Sequence, residues 1–259
     1  DSAFIMYKKG SEVQPTNGLN YAGMGKVQLV QGNDKEGNAN LFKAKTLGAK
    51  NATVYMKIAE AYIIVPNPYK NLTEAIKLLT DAIKWEPKNA EARLLMGDAI
   101  LEQNPAEGTG AIKEYNDAMK LNPKSPKGLL RIGKLYERGR NYTSALDYYK
   151  QAEAIDPNFA PAYREKAEIY NKAAMSSKAL EAIKKYLELN NNSLDARKSY
   201  SVFLFKAKQY PEAIKELEDI LKQDPKSYLW RLLGYSYDEI DVKTNPEAPT
   251  KGIDAINKF

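Results

Sequence analysis

The feature that most constrains this chain is a recurrence. Ala75, Ala82 and Pro87 return as Ala111, Ala118 and Pro123, and again as Ala145, Ala152 and Pro157. Looser copies follow at Ala179, Tyr186 and Asn191, then at Ala213, Ile220 and Pro225. The leading alanines stand 36, 34, 34 and 34 residues apart, and Ala39 lies another 36 before Ala75 inside a weaker copy. Such a period belongs to stacked units, none of which can bury its apolar face alone.

A second pattern precedes each of these landmarks. Leu129, Ile132, Gly133 and Tyr136 correspond to Tyr163, Lys166, Ala167 and Tyr170. Offsets of 3, 4 and 7 put each set on one helical face. Gly133 and Ala145 lack bulk where two helices would cross, and Tyr136 and Tyr149 fill the spaces alongside. Pro157 donates no amide hydrogen and ends the unit. Asn71 with Glu74 reads as a capping box, and Asn141 as a helix cap.

These residues resemble the tetratricopeptide repeat family, a helix-turn-helix unit of 34 residues with the pattern W-x2-L-G-x2-Y, then A-x3-F, A and P. In the unit ending at Pro157, Leu129 stands for the Trp, followed by Ile132, Gly133, Tyr136, Ala145, Tyr149, Ala152 and Pro157. The resemblance covers about nine tenths of the chain. It implies an all-α, right-handed α-solenoid, a superhelix of tetratricopeptide helix-turn-helix repeats with a concave groove. Residues 1–16 read as an N-terminal extension and 17–259 as the array. Its parts are a degenerate repeat at 17–51, repeats at 52–87, 88–123, 124–157, 158–191 and 192–225, and an incomplete one at 226–259. Two departures stand out: the longer turn IIVPNPYKN, an insertion more often neutral than a partner contact, and the insertion DVKTNPEAPT in the last unit.

Composition removes most chemistry. The 259 residues include neither His nor Cys, so the commonest general base, the usual transition-metal ligands and the thiol nucleophile are absent. GMGKV at Gly23–Val27 lacks the first glycine and the Ser or Thr of a phosphate loop. GNDKEGN and DEIDVKTN lack the ligand alternation of a calcium loop. The expectation is therefore no enzyme, no cofactor and no metal. Sequons at Asn51, Asn71, Asn141 and Asn191 matter only in a glycosylating compartment. No apolar run approaches the ~20 residues that span a bilayer. Opening on Asp1 and breaking off within the last unit, the chain is expected to have been preceded and followed by more sequence. Asp1 and the lack of Cys favour a bacterial periplasm or cell envelope, with the cytoplasm as alternative.

Net charge is +6, from 39 Lys and Arg against 33 Asp and Glu, with pI near 9.0. The surplus is mild and scattered, and Tyr62, Tyr136, Tyr149, Tyr163 and Tyr170 fall on packing landmarks rather than on a stacking platform. In this family the groove is lined by the first helices. Here those positions hold Lys127, Arg131, Lys134 and Arg138 in one unit, then Arg164, Lys198 and Arg231 in the next three. These seven cations are the candidate partner-binding residues, opposed by Glu60, Asp98, Glu165 and Glu168, which would neutralise much of the band. Lys127 and Arg131 match one part of the family's carboxylate clamp. Leu95, Met56 and Glu60 occupy its other positions, so a full clamp is not expected. The leading reading is a non-enzymatic scaffold binding an extended, acidic peptide or a helix of a protein partner. Alternatives are a repeat domain of a larger assembly or enzyme, and a helical-repeat RNA binder.

Overall fold

A computed structural model describes residues 2–106, 108–225, 228–240 and 245–259. Asp1, the repeat boundary at 226 and residues 241–244 of the insertion lie outside the described residues. The described residues form fifteen α-helices and no strand. After α1 (Ser2–Val13) the helices come in consecutive pairs. These are α2 (Gly18–Val30) with α3 (Asp34–Leu47), α4 (Ala52–Ile64) with α5 (Leu72–Trp85), and α6 (Ala90–Gln103) with α7 (Gly108–Leu121). Next come α8 (Lys127–Arg138) with α9 (Tyr142–Ile155), and α10 (Ala160–Lys172) with α11 (Ser176–Leu189). Last are α12 (Leu194–Lys206) with α13 (Tyr210–Gln223), and α14 (Leu229–Asp238) with α15 (Ala248–Asn257). Two compact units result, Asp1–Ile132 and Gly133–Phe259.

Local chemistry sets the helix limits. Asn51, Asn71, Asn89 and Asn141 each accept a hydrogen bond at 3.1 Å from an amide three residues on, satisfying a donor that the first turn leaves unpaired. Three of the four sequons are thus helix caps. The capping box at Asn71 is only half made, because the Glu74 carboxylate goes to Lys45 Nζ at 2.6 Å instead of returning to the cap. At the other end, Glu86, Asp156 and Asp224 are extended, with φ near −125° to −138°. Each precedes a proline, whose ring disfavours the helical region there. Where Asn191 replaces that proline, Asn191 and Asn192 take φ of 51° and 52°, and asparagine tolerates this left-handed region better than most side chains.

The turns inside the pairs follow one design. Gly32, Arg140, Ala174 and Lys208 have positive φ. The next amide in each case reaches back to the carbonyl of Gln28, Tyr136, Tyr170 or Leu204 at 2.8–2.9 Å, which is the Schellman arrangement. Two pairs depart from it. The connections after α4 and α6 are longer, and Val65 and Asn104 continue extended instead. In the first of these, Val65 is buried, Tyr69 Oη donates to Gly32 O at 3.4 Å and Lys70 meets Glu102 at 2.7 Å. The inserted turn is therefore packed on its own unit.

Packing within a pair rests on missing side chains. A methyl group added at Gly97 would lie 2.4 Å from the Tyr115 ring, and one at Gly133 the same distance from Tyr149. Both tyrosines are almost wholly buried. Ala59 and Ala167, at the same place in their helices, are also inaccessible. In the first pair the role passes to Gly25 and Gly37: a methyl group added at Gly25 would lie 2.8 Å from the Gly37 carbonyl oxygen and from Leu41, and one at Gly37 2.7 Å from Leu29. This corrects the sequence landmark there. Gly37 is the buried small residue, and Ala39 faces solvent. The four extra residues of the connection after α4 had displaced the apparent spacing. Lys166 occupies a position where Ile58 and Ile132 are buried. Its stem is covered, its ammonium bonds to Glu153, and it lies 5.1 Å from the Tyr163 ring centre.

Three outcomes test this account. Gly133→Leu is expected to cost about 1–3 kcal/mol by overpacking the crossing, seen as a lower urea midpoint. Gly139→Ala, where a methyl meets carbonyl oxygens at 3.4 and 3.8 Å only, should leave the midpoint in place. Ala174→Gly should raise stability by about 0.5–1 kcal/mol, since relief of left-handed strain exceeds the entropy that glycine adds to the unfolded chain.

Candidate partner-binding face

The first helix of each pair carries the charged residues singled out from sequence. In the first unit, Lys127 Nζ meets Glu91 Oε2 at 2.9 Å, joining the start of α8 to α6. One turn further, Arg131 Nε donates to both oxygens of Asp98 at 2.8 and 2.9 Å. Asp98 also accepts from the Tyr115 hydroxyl at 2.9 Å. Burial pushes the Asp98 carboxyl above its ordinary range, and Arg131 and Tyr115 oppose that rise without cancelling it. Both partners are about three-quarters covered, so this is a structural ion pair more than a free recognition group.

In the second unit, Glu165 is buried and takes two cations: Lys134 Nζ at 3.0 Å and Arg164 at 2.8 Å. The Glu165 hydrogen bond raises the Arg164 pKa against its own desolvation. Lys198 Nζ lies 2.7 Å from Asp224 Oδ2, which raises the lysine likewise. Two of the seven candidates differ. Arg138 is exposed and has no ion pair among the described residues. Arg231 is exposed, meets no carboxylate among the described residues, and places its guanidinium 5.0 Å from the Phe259 ring centre. The structure thus brings five candidates into pairs with acids and leaves two facing solvent.

Sequence reasoning passed over a further cluster in the first unit. Lys26 on α2 and Lys57 on α4 share one carboxylate, with Nζ to Glu60 Oε1 3.0 Å and Oε2 2.7 Å. Burial raises the Glu60 pKa, but the two lysine hydrogen bonds outweigh it and hold the group below its ordinary value. A signal existed. Lys26 and Glu60 are 34 residues apart, Arg131 and Asp98 33, Lys127 and Glu91 36, Lys172 and Glu137 35. An acid and a base one repeat apart stand at one height on neighbouring helices, so the period foretells the pair. The Arg197 pairs with Glu216 at 2.6 Å and Asp219 at 2.7 Å do not follow this period.

GMGKV lies inside α2, with Gly25 against Gly37 and Leu41. Asp34 and Glu36 form the first turn of α3. Among the described residues no three acids are placed to hold a metal, and no helix is long and apolar enough to cross a membrane. Tyr62, Tyr149 and Tyr163 are buried, and Tyr136 stacks on Tyr148 with ring centres 5.4 Å apart.

Two models of the tetratricopeptide repeat match the chain, over residues 107–158 and 177–234. Small glutamine-rich tetratricopeptide repeat-containing protein 2 of Mycosarcoma maydis is 29% identical over 101 residues, 39% of this chain and 29% of that protein. Human tetratricopeptide repeat protein 21A is 35% identical over 63 residues, 24% of this chain and 5% of the relative. The chain spans less than a third of the length of these curated relatives. A crystal structure of the APC/C hetero-tetramer Cut9–Hcn1 matches with a TM-score of 0.59 and 16% identity, over 91% of this chain and 46% of that one, a likeness of fold alone. Paired helices closed on glycine or alanine and charges repeating with the same period thus run through a chain that carries tetratricopeptide repeats at residues 107–158 and 177–234.

Proposed function

We propose that the chain is a non-catalytic scaffold that holds an acidic segment of a protein partner against the charged face of its first helices. The fold supports protein–protein interaction in general, and general interaction is as far as fold likeness reaches. The observation that carries the finer reading is the split among the cations. Lys127, Arg131, Lys134, Arg164 and Lys198 are matched by internal acids, and Arg138 and Arg231 have no ion pair among the described residues. A solvent-facing guanidinium with unused donors takes a carboxylate by two parallel hydrogen bonds. In the second unit Arg138 and Arg231 recognise the partner, and Lys134, through Glu165, ties α8 to α10 while Lys198 ties α12 to the end of α13. In the first unit Lys127 and Arg131 have the register role. Of the tyrosines that would serve an RNA reading, Tyr62, Tyr149 and Tyr163 are buried.

The test is affinity capture on the immobilised chain followed by mass spectrometry. Wild type is expected to retain a protein partner, and Arg138→Glu with Arg231→Glu to lose it, with a thermal midpoint matching wild type because both sites are exposed. Capture by the double variant at wild-type level would overturn the assignment. Arg131→Glu, by contrast, should lower the midpoint, since it sets two carboxylates together in a partly covered site.

A further inference from the structure

The first unit contains a small recess unlike the open surface around it. It is about 240 Å³ in volume and is lined by Tyr7 of α1, by Leu19, Ala22, Gly23 and Lys26 of α2, and by Lys57 and Glu60 of α4. That is below the ~300–1,000 Å³ of sites that enclose a whole small molecule, and suits one side chain. Its floor is apolar: Ala22 is buried, and the Tyr7 ring sits so close over Gly23 that an added methyl would lie 2.5 Å from it. Leu19 and Tyr7 remain 37% and 40% exposed, so the recess has apolar walls that face solvent in part. Its mouth is cationic. Two ammonium groups share Glu60, one to each oxygen, and each ammonium has three donors. Glu91, the further acid whose charge reaches Lys57, is already held by Lys127 at 2.9 Å. One positive charge is therefore left over beside an apolar hole.

We propose that this recess is a subsite for a two-residue element of a partner protein, an apolar side chain next to an acidic one. The apolar group enters against Leu19, Ala22 and Gly23, and the neighbouring carboxylate is taken by Lys57 and Lys26 at the rim. Lys57 is the main recognition group, because its side chain is 58% exposed while that of Lys26 is 35% exposed. The proposal rests on the reading of the chain as a protein-binding scaffold, and it gives the first unit a contact of its own, made by residues other than the seven cations. It requires both halves of the element at once. A carboxylate alone competes with Glu60 for the lysines, and an apolar group alone brings no charge to offset the surplus.

The experiment uses the intact chain with methyl-labelled leucine and alanine, and titrates the capped peptide acetyl-Gly-Glu-Leu-Gly-amide while the Leu19 and Ala22 resonances are followed. The expected result is a saturable shift of both, weakened about fivefold or more when the peptide carries Gln for Glu or Ala for Leu. Lys57→Gln should weaken it similarly while leaving the thermal midpoint unchanged. Equal binding of the Glu and Gln peptides, an unaffected Lys57→Gln variant or no shift at all would overturn the subsite. Shifts that move with protein concentration and no peptide would overturn it too, by making a second copy of the chain the occupant. Failure of the peptide with partner capture intact removes this subsite alone. Peptide binding without any captured partner removes the scaffold reading and keeps the chemistry of the recess.

Discussion

The close crossing within each helix pair is the contact on which the other features depend. A ring pressed on a glycine, Tyr115 on Gly97 or Tyr149 on Gly133, brings two backbones nearer than larger residues allow. The same contact also creates a polar demand, because each ring carries a hydroxyl into covered space. Tyr115 donates to Asp98 and Tyr149 to Glu137, each at 2.9 Å, and Tyr237 donates to Glu218. An acid on or beside the first helix is thus called for by the core before any surface role. In two pairs a cation one repeat further along completes the chain, Arg131 on Asp98 and Lys172 on Glu137. Core geometry and surface charge are one network, linked through the tyrosine hydroxyl.

That linkage explains why the basic band read from sequence is mostly occupied from within. Stacking identical units brings like positions together, so a base and an acid that share a position one period apart must meet. Such exposed pairs contribute little each, ~0–1 kcal/mol, but the covered ones fix register, since slipping one pair past the next would strand a buried carboxylate. Glu165 shows the limit of the arrangement. With Lys134 and Arg164 both on it, two candidate binding residues are held by one buried acid.

The repeat and its helix pairing were legible because they depend on residue size at fixed spacing, and size is written directly in the sequence. Gly133, Tyr149 and Pro157 could be assigned roles that the coordinates bear out in detail. Where a length change intervened, spacing misled. The longer connection after α4 made Ala39 look like the landmark that Gly37 is. The half-formed capping box at Glu74 and the covered Lys166 were not legible for a different reason. Each depends on which of several partners a long side chain reaches, Lys45 in one case and Glu153 in the other. Pairing state within the candidate site has the same origin. Position put seven cations on the first helices, and only coordinates separate Arg138 and Arg231 from the five that are matched.

Recognition in such an array is therefore governed by departures from the period and not by the period itself. A cation already bonded to an internal acid offers a partner's carboxylate only an exchange, and exchange of one ion pair for another is worth little. A cation without an opposite acid, or two sharing one as at Glu60, offers a new charge-assisted hydrogen bond of about 1.5–3 kcal/mol. Repeating residues must satisfy their neighbours in the stack, so the cations that the proposed recognition draws on are those with no ion pair among the described residues: Arg138 at the end of α8, and Arg231 on α14, which leans on Phe259. The regular part of the sequence builds the fold.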